Sequence, residues 1–403
     1  MIKNKRVEDD TPFLPEGILI DILIRLPVKS LTRFQCVCRD WRNLLKAPSF
    51  IADHLHHSNR QNPYILFQPR YLLYASDLDL YSLDSDMQVW RFQNSLGSDM
   101  QVWRFQNSPL LEHLNDPKIV GVSNGLLCVQ TNSLRYSLFL WNPAIKEVKL
   151  VPETDFGLNS YSCAPYYIGF GFCPSLNDYK IVVTSVERCF EMFKVYSLRS
   201  NSWKEVTYRH DACNIYYRVT VNGVMFWWGE KIIRRDHGEY HCEDFEVVIF
   251  SFDLATEVWT VIPVPEQHSS TVFQNLMVYE GKLAFVFCCT EDFEHSVIHL
   301  WVREEGVGAS RETWNWSKKF TSNPCPGGLF PKTMLGNEIF CMDYDSESTN
   351  TVLFNPTTEK FKKLYISKCD YEHQIFNYVE SLVSVGGTKS LKFLRRLGSS
   401  SWG

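Results

Sequence analysis

The chain has 403 residues, 45% of them apolar and 22% charged, which is typical of a globular protein with a substantial core. The net charge of -5 gives no reason to expect binding to nucleic acid or to an anionic membrane. The 13 cysteines have no Cys-x-x-Cys spacing, so the sequence predicts neither a disulfide framework nor a metal site.

Residues 1–10 are polar and are predicted to form a disordered tail. They lack the apolar core of a signal peptide, and no run of about 18 apolar residues follows anywhere. We therefore expect an intracellular protein, in the cytoplasm, the nucleus or both, without a membrane-spanning segment.

Residues 12–55 show helical patterns, and the first helix is apolar around most of its surface. Its apolar residues are Ile18, Leu19, Ile20, Ile22, Leu23, Ile24 and Leu26. Asp21 and Arg25, four residues apart, leave only a narrow polar seam. A segment of about forty residues cannot bury this much apolar surface by itself. We expect another protein to cover the remainder.

Prolines mark the boundaries of these helices. Pro15 suits the first turn of the first helix, and Pro27 ends that helix. The second helix is predicted to begin near Val28, and the third to stop at Pro48. Ser49 is predicted to cap a fourth, short helix. The nearby His54, His56 and His57 are interpreted as a solvent-exposed helix end, because no cysteine accompanies them as a zinc ligand.

The same stretch contains the letters of a known motif. They are Leu14-Pro15, Leu23, Leu26-Pro27-Val28-Lys29-Ser30-Leu31, Arg33-Phe34, Cys36-Val37-Cys38, Trp41 and Pro48-Ser49-Phe50. This stretch resembles an F-box, in particular that of the large plant F-box families. The resemblance implies binding to a Skp-type adaptor and, through it, to a cullin ubiquitin ligase. The residues at motif positions, and hence the expected adaptor contacts, are Leu14, Pro15, Leu26, Pro27, Leu31 and Trp41.

After residue 59 the pattern changes to short β-like runs with an internal repeat. An aromatic residue precedes a turn at six places: Tyr81, Trp141, Tyr196, Phe252, Trp301 and Phe354. Four of them return to an apolar residue seven positions later, at Val148, Trp203, Trp259 and Phe361, which predicts hairpins. Spacings of 49 to 60 residues match the blades of a β-propeller, of which about six are predicted. Glycines upstream of most hairpins are predicted to form the turn into each inner strand.

One interval is lengthened by a tandem duplication. Ser85–Ser95 recurs letter for letter as Ser98–Ser108, with a period of 13 residues. Removal of one copy would bring the long first interval into line with the others. We therefore predict that one copy forms a strand and that the other forms a loop or a poorly ordered excursion.

The β-rich region also resembles a known domain. The phrases that carry the resemblance are Asn124-Gly125-Leu126, Asp178-Tyr179-Lys180, Tyr196-Ser197-Leu198, Asn222-Gly223-Val224, Gly281-Lys282-Leu283 and Glu380-Ser381-Leu382-Val383. They resemble the kelch-like F-box-associated domain of plant F-box proteins. The expected architecture is an α+β multidomain chain, with a small three-helix F-box at 11–57, a large all-β propeller-like domain at 60–385 and a basic tail at 386–403.

The candidate catalytic motifs have simpler structural interpretations. Gly121-Val-Ser123-Asn-Gly125 matches a nucleophile elbow, but a strand-like sequence follows where that motif requires a helix. Trp227 and Trp228 are expected to pack between strands. No catalytic residue and no cofactor are predicted.

These expectations favour the substrate-recognition subunit of an SCF-type (Skp–cullin–F-box) ubiquitin ligase, which binds a target protein through the propeller and has no catalysis of its own. Two alternatives remain open: an adaptor-bound scaffold that does not ubiquitinate, and an enzymatic or ligand- or glycan-binding propeller. Carboxylates or histidines converging in the central channel would favour the enzymatic alternative.

Overall fold

The computed structural model describes residues 14–61, 64–68, 79–83, 89–90, 103–104, 117–131, 137–154, 166–185, 192–207, 212–232, 245–265, 271–290, 295–304, 315–326, 329–345, 348–364 and 374–387. The predicted tail at 1–10 and most of the predicted basic tail lie outside these ranges. Among the described helices, none combines the length and apolar character needed to cross a membrane.

Four helices form the N-terminal part, and we call them together the helical module. They are α1 (Glu16–Ile24), α2 (Val28–Phe34), α3 (Arg39–Leu44) and α4 (Pro48–Gln61). Pro15 and Pro27 occupy the position just before α1 and α2, with extended backbones, whereas Pro15 was predicted within the first turn. The predicted cap at Ser49 is wrong because Pro48, whose fixed φ suits a first helical position, already begins α4. The predicted fourth helix is present but is not short, because α4 has 14 residues and is the longest of the module.

After the module, the residues that the structure describes form six antiparallel sheets arranged as propeller blades, which confirms the predicted fold class. From the inner strand outward, the first full blade contains β5 (Pro117–Ser123), β6 (Leu126–Thr131), β7 (Ser137–Asn142) and β8 (Glu147–Leu150). The next contains β9 (Tyr166–Cys173), β10 (Asp178–Ser185), β11 (Met192–Ser197) and β12 (Ser202–Thr207). The third contains β13 (Ala212–Val221), β14 (Val224–Ile232), β15 (Phe245–Asp253) and β16 (Trp259–Pro263).

Two further blades follow the same plan. One contains β17 (Thr271–Tyr279), β18 (Lys282–Thr290), β19 (His295–Glu304) and β20 (Asn315–Thr321), with β21 (Cys325–Pro326) beside β19. The other contains β22 (Leu329–Leu335), β23 (Glu338–Asp345), β24 (Ser348–Asn355) and β25 (Lys360–Leu364).

The closing blade combines both ends of the β-rich region. Its inner strand is β26 (Gln374–Tyr378), which pairs with β1 (Tyr64–Gln68), and β1 pairs in turn with β2 (Asp79–Leu83). Each inner strand contacts the next around the ring, in the order β5, β9, β13, β17, β22, β26 and back to β5. The ring is therefore closed, and a C-terminal strand completes it.

The aromatic repeat is explained by the third strand of each blade. All six repeated aromatic residues lie on that strand, and the four predicted hairpins have the predicted partners: Trp141 pairs with Val148, Tyr196 with Trp203, Phe252 with Trp259, and Phe354 with Phe361. The first turn residue often accepts hydrogen bonds from the backbone, as Asp253 Oδ1 does from the N–H groups of Ala255 and Thr256. The recurring polar residue after the aromatic residue thus shapes the turn.

The prediction for the glycines was only partly right. Gly125, Gly223, Gly281 and Gly336 have positive φ and lie in turns, but these turns lead out of the inner strands and not into them. Gly169 and Gly171 lie within β9. A Cβ atom on Gly171 would lie 2.6 Å from the Thr220 side chain of the next blade, so this glycine allows the inner strands to approach closely.

Both copies of the tandem duplication contribute a short strand, contrary to the prediction that one copy forms a loop. The strands are β3 (Val89–Trp90) in the first copy and β4 (Trp103–Arg104) in the second. They pair with different halves of β2, at 82–83 and at 79–80 respectively. The identical segments therefore share one strand edge.

Candidate protein-docking surface

The helical module has a small apolar core that continues into the propeller. Leu23 of α1, Val28 and Leu31 of α2, Leu45 just after α3 and Phe50 of α4 are buried together. Two propeller residues, Ile145 and Leu382, belong to the same buried cluster. The module is therefore packed against the propeller and is more than a tethered appendage.

Side chains hold the ends of the short helices in place. The Thr32 hydroxyl donates to the Val28 carbonyl at 2.6 Å. At the start of α3, the Cys38 sulfur accepts a hydrogen bond from the backbone N–H of Trp41 at 3.4 Å. The Phe34 and Trp41 rings meet edge to face with centroids 5.4 Å apart. These contacts compensate for the low intrinsic stability of helices of six to nine residues.

His54 is buried, so the prediction that it belongs to a solvent-exposed helix end is wrong for this residue. Its Nε2 lies 3.0 Å from the Leu26 carbonyl oxygen, where the ring N–H satisfies a carbonyl at the end of α1. Burial lowers the pKa of His54 despite this hydrogen bond, and the charge of His57 lowers it further. Within the described ranges, no cluster of three or more His, Cys, Asp or Glu residues has the geometry to hold a metal ion.

An exposed apolar stripe runs along one face of α1. Ile18 and Ile22 lie on one side of α1, and Leu14, two residues before the helix begins, continues their four-residue spacing. They are 55%, 49% and 45% exposed, and Val37, after α2, is 63% exposed. We call these four residues the docking stripe. Exposed aliphatic residues in a regular row, such as Ile18 and Ile22, are typical of a protein-binding surface.

The six predicted adaptor contacts occupy different environments. Leu14, Pro15 and Pro27 are exposed, while Leu26 and Trp41 are half-buried. Their roles in adaptor binding stay predictions. Leu31 has no exposed surface in this structure and packs in the core of the module. Its contact with the adaptor, like those of the other five residues, stays a prediction.

Ile18, Ile22 and Val37 are not among the six predicted adaptor contacts, although Ile18 and Ile22 belong to the apolar helix surface that another protein was expected to cover. The signal for two of them was present, because both continue the four-residue spacing that begins at Leu14. The sequence alone did not show that Leu23, rather than Ile22, packs inward. Nearly every position of α1 is apolar, so periodicity does not separate its two faces.

The propeller channel is a second candidate location for catalytic residues. The six described inner strands contain no Asp, Glu or His residue. Their amides instead connect neighbouring blades, as Asn275 does by donating to the Pro331 carbonyl at 3.2 Å and Asn377 to the Met334 carbonyl at 3.1 Å. These described inner strands therefore contribute no acid–base pair to the channel.

The apparent nucleophile elbow is a strand–turn–strand segment, because β6 follows the turn where a helix would be required. A Cβ atom on Gly121 would lie 2.7 Å from Cβ of Phe170 in the next blade. The Asn124 side chain forms a hydrogen bond with Tyr179, although burial still raises the pKa of that tyrosine to about 12. The motif residues thus serve packing between blades.

Trp227 and Trp228 are buried, as predicted.

The helical module lies on one particular face of the propeller. Every inner strand is the first of an antiparallel set, so turns after the first and third strands share one face and connections after the second and fourth share the other. Ile145, which contacts the module, lies in the turn between the third and fourth strands of its blade. The opposite face therefore remains clear of the module.

Comparisons with known proteins agree with both parts of the structure. A family model described as an F-box associated beta propeller domain matches residues 72–385, and an F-box domain model matches residues 13–53. F-box protein CPR1 of Arabidopsis thaliana is 24% identical over 92% of this chain and 88% of its own length. An F-box/kelch-repeat protein of the same plant is 26% identical over 76% of this chain and 78% of its own. Among solved structures, TolB from Acinetobacter baumannii has a TM-score of 0.45 at 10% identity, over 81% of this chain and 70% of that one.

Proposed function

Because the chain belongs to the family of F-box proteins with an associated beta propeller domain, we propose that it is the substrate-recognition subunit of an SCF-type ubiquitin ligase. The helical module binds a Skp-type adaptor, which connects it to a cullin scaffold. The propeller binds a target protein, which is then ubiquitinated and degraded.

The docking stripe is the observation that carries this proposal. Ile18 and Ile22 expose aliphatic side chains on one side of α1, as does Leu14 just before the helix, although the core next to them is complete without them. Full burial of an isoleucine side chain contributes about 1.5–3 kcal/mol, so a partner that covers the stripe gains substantial binding free energy.

The proposed contribution of the protein to ubiquitin transfer is proximity. Binding of adaptor and target to one chain raises the effective concentration of target lysines near the ubiquitin-charged enzyme, without a catalytic group of its own. We place target binding on the face opposite the module, because that face is not occupied by α1–α4.

This function requires a protein that meets its target in the cytoplasm or the nucleus, and we propose these compartments as its location. Neither nucleic acid nor membrane has a part in the mechanism.

The proposal is tested by labelling proteins near the propeller in cells while the proteasome is inhibited. The same labelling is repeated with the docking stripe disabled by Ile18→Glu with Ile22→Glu. A ligase receptor predicts that labelled targets are the same in both experiments, and that their half-lives lengthen when the stripe is disabled. Unchanged half-lives for every labelled target would contradict target degradation and would favour a non-ubiquitinating scaffold.

A further inference from the structure

Residues 379–387, which we call the strap, follow the closing strand β26 directly. Although the strap is not a strand, Val379, Leu382 and Val385 are buried and Ser381 has no exposed surface. An irregular segment this deeply buried requires partners for its backbone.

The β5–β8 blade provides these partners. The buried Asn142 side chain donates through Nδ2 to the Ser381 carbonyl at 3.0 Å and to the Val383 carbonyl at 2.8 Å. Glu147 Oε2 accepts from the Ser384 hydroxyl at 2.6 Å and from the Val385 N–H at 3.2 Å. Two side chains of one blade therefore bind most of the length of the strap.

Glycines lie at two points where the strap passes close to the blade. A Cβ atom on Gly125 would lie 2.5 Å from the Val379 carbonyl oxygen, and one on Gly387 would lie 2.1 Å from that of Val148. Real Cβ atoms do not approach this closely. Glycine on each side thus allows the strap and the blade to lie in direct backbone contact.

The strap contacts the helical module on its other side. Leu382 lies in the same buried cluster as Leu23, Val28 and Leu31 of the module. Burial raises the pKa of Glu380, while the positive charge of Lys29 in α2 acts in the opposite direction. The strap is therefore sandwiched between the module and the blade.

We propose that the strap is a brace that holds the F-box in one orientation on the propeller. Residues 374–387 then have two roles, since β26 closes the ring and the strap fixes the docking module. The consequence for ubiquitin transfer rests on the proposed function: adaptor and target are presented at one separation and angle. The orientation itself does not depend on that function.

The test measures the distance between module and propeller in the full chain. Donor and acceptor dyes are attached at exposed Lys46 in the module and exposed Lys363 in β25, through p-azidophenylalanine at both positions. Single-molecule energy transfer then gives the distribution of distances. The parent protein is expected to give one narrow distribution.

Two variants weaken the strap at different contacts. Asn142→Ala removes the hydrogen bonds that the Asn142 side chain donates to the strap, and Leu382→Ala removes the apolar contact of the strap with the module. Both are expected to broaden the distribution and to raise hydrogen exchange of the strap amides by roughly tenfold or more. Asn275→Ala is the matched control, because Asn275 is also buried and donates to two backbone carbonyls of a neighbouring segment, but between blades far from the strap. It is expected to leave the distribution narrow.

A broad distribution in the parent protein, or a narrow one in both strap variants, would overturn the proposal. Adaptor binding is measured separately on the same proteins. Failure of the parent to bind adaptor would contradict the proposed function, whereas the distance distribution would still decide whether the strap is a brace.

Discussion

A buried ion pair between two blades provides a quantitative test of the packing. Lys180 of β10 is buried, and its Nζ lies 2.6 Å from the Leu254 carbonyl oxygen and 2.9 Å from Glu257 Oε1 in the next blade. The other Glu257 oxygen accepts from the exposed Lys204 of β12. Glu257 therefore neutralises a lysine charge that the surrounding apolar residues would otherwise make costly.

We predict that Glu257→Asn lowers the free energy of unfolding by about 2–4 kcal/mol. Breaking a buried pair from one side costs about 3–5 kcal/mol, because the remaining charge is uncompensated. Loss of the exposed Lys204 contact adds at most about 1 kcal/mol. Glu257 has a φ of 57°, a left-handed conformation that asparagine tolerates better, so relief of backbone strain offsets part of the cost.

Glu359→Asn is the matched control. Glu359 has the equivalent turn position in the β22–β25 blade and a φ of 55°, but its partner is the exposed, neutral Asn323. The control is expected to change stability by less than about 0.5 kcal/mol. Urea unfolding, followed by tryptophan fluorescence, measures both variants against the parent. Equal and small changes in the two midpoints would refute the reasoning.

The effect should also depend on pH. Burial acts to raise the pKa of Glu257, but the hydrogen bonds and charges of Lys204 and Lys180 outweigh it, and the pKa is lowered. A carboxylate whose pKa is lowered by folding stabilises the protein above its ordinary pKa, and this stabilisation is lost as pH falls through the lowered value. The difference between parent and Glu257→Asn should therefore be largest near pH 7 and shrink below about pH 4.

Three further predictions follow from other contacts. Gly125→Ala is expected to lower stability by about 1–3 kcal/mol, measured by urea unfolding, since it adds strain at positive φ and a clash with the strap; an unchanged midpoint would contradict the close contact. Leu31→Ala should lower the free energy of unfolding by about 2–5 kcal/mol and reduce the helical circular dichroism signal, because Leu31 is buried. Leu14→Ala should leave the spectrum unchanged, because Leu14 is exposed; a larger loss of signal for Leu14→Ala than for Leu31→Ala would contradict this assignment. Deletion of 96–108, which removes one copy of the duplicated segment, should change the melting temperature little, because either copy can pair with β2; a large loss would show that both copies are required.

The sequence was sufficient to predict the architecture, because the propeller repeat comes from residues with one structural role each. Trp141, Tyr196, Phe252 and Phe354 are all buried on the third strand of their blades, and each faces an apolar residue across a short turn. The spacing of Trp141 and Val148 therefore identified a hairpin before the structure was known. The F-box letters were equally informative about the helices.

The site was only partly predictable, because a motif does not distinguish core residues from surface residues. Leu31 and Leu14 both match the motif, but one is buried and the other exposed. Ile22 and Leu23 are adjacent and chemically similar, and only packing decides which of them faces outward.

Long-range contacts could not be predicted either. Asn142 and Ser381 are separated by 239 residues, and nothing local to either indicates that they meet. The strap was recognisable only as a family phrase, and its position between module and propeller required the fold.

The affinity of the full chain for a purified Skp-type adaptor tests the central claim most directly. Isothermal titration calorimetry compares the parent with Ile18→Glu/Ile22→Glu, and with Val258→Glu, which places the same charge on an exposed apolar residue of the propeller. Circular dichroism confirms that each variant is folded. If the docking stripe binds the adaptor, the affinity of the double variant for the adaptor is at least about a hundredfold lower than that of the parent, and the affinity of Val258→Glu is unchanged. Equal affinity of the parent and the double variant would contradict the account.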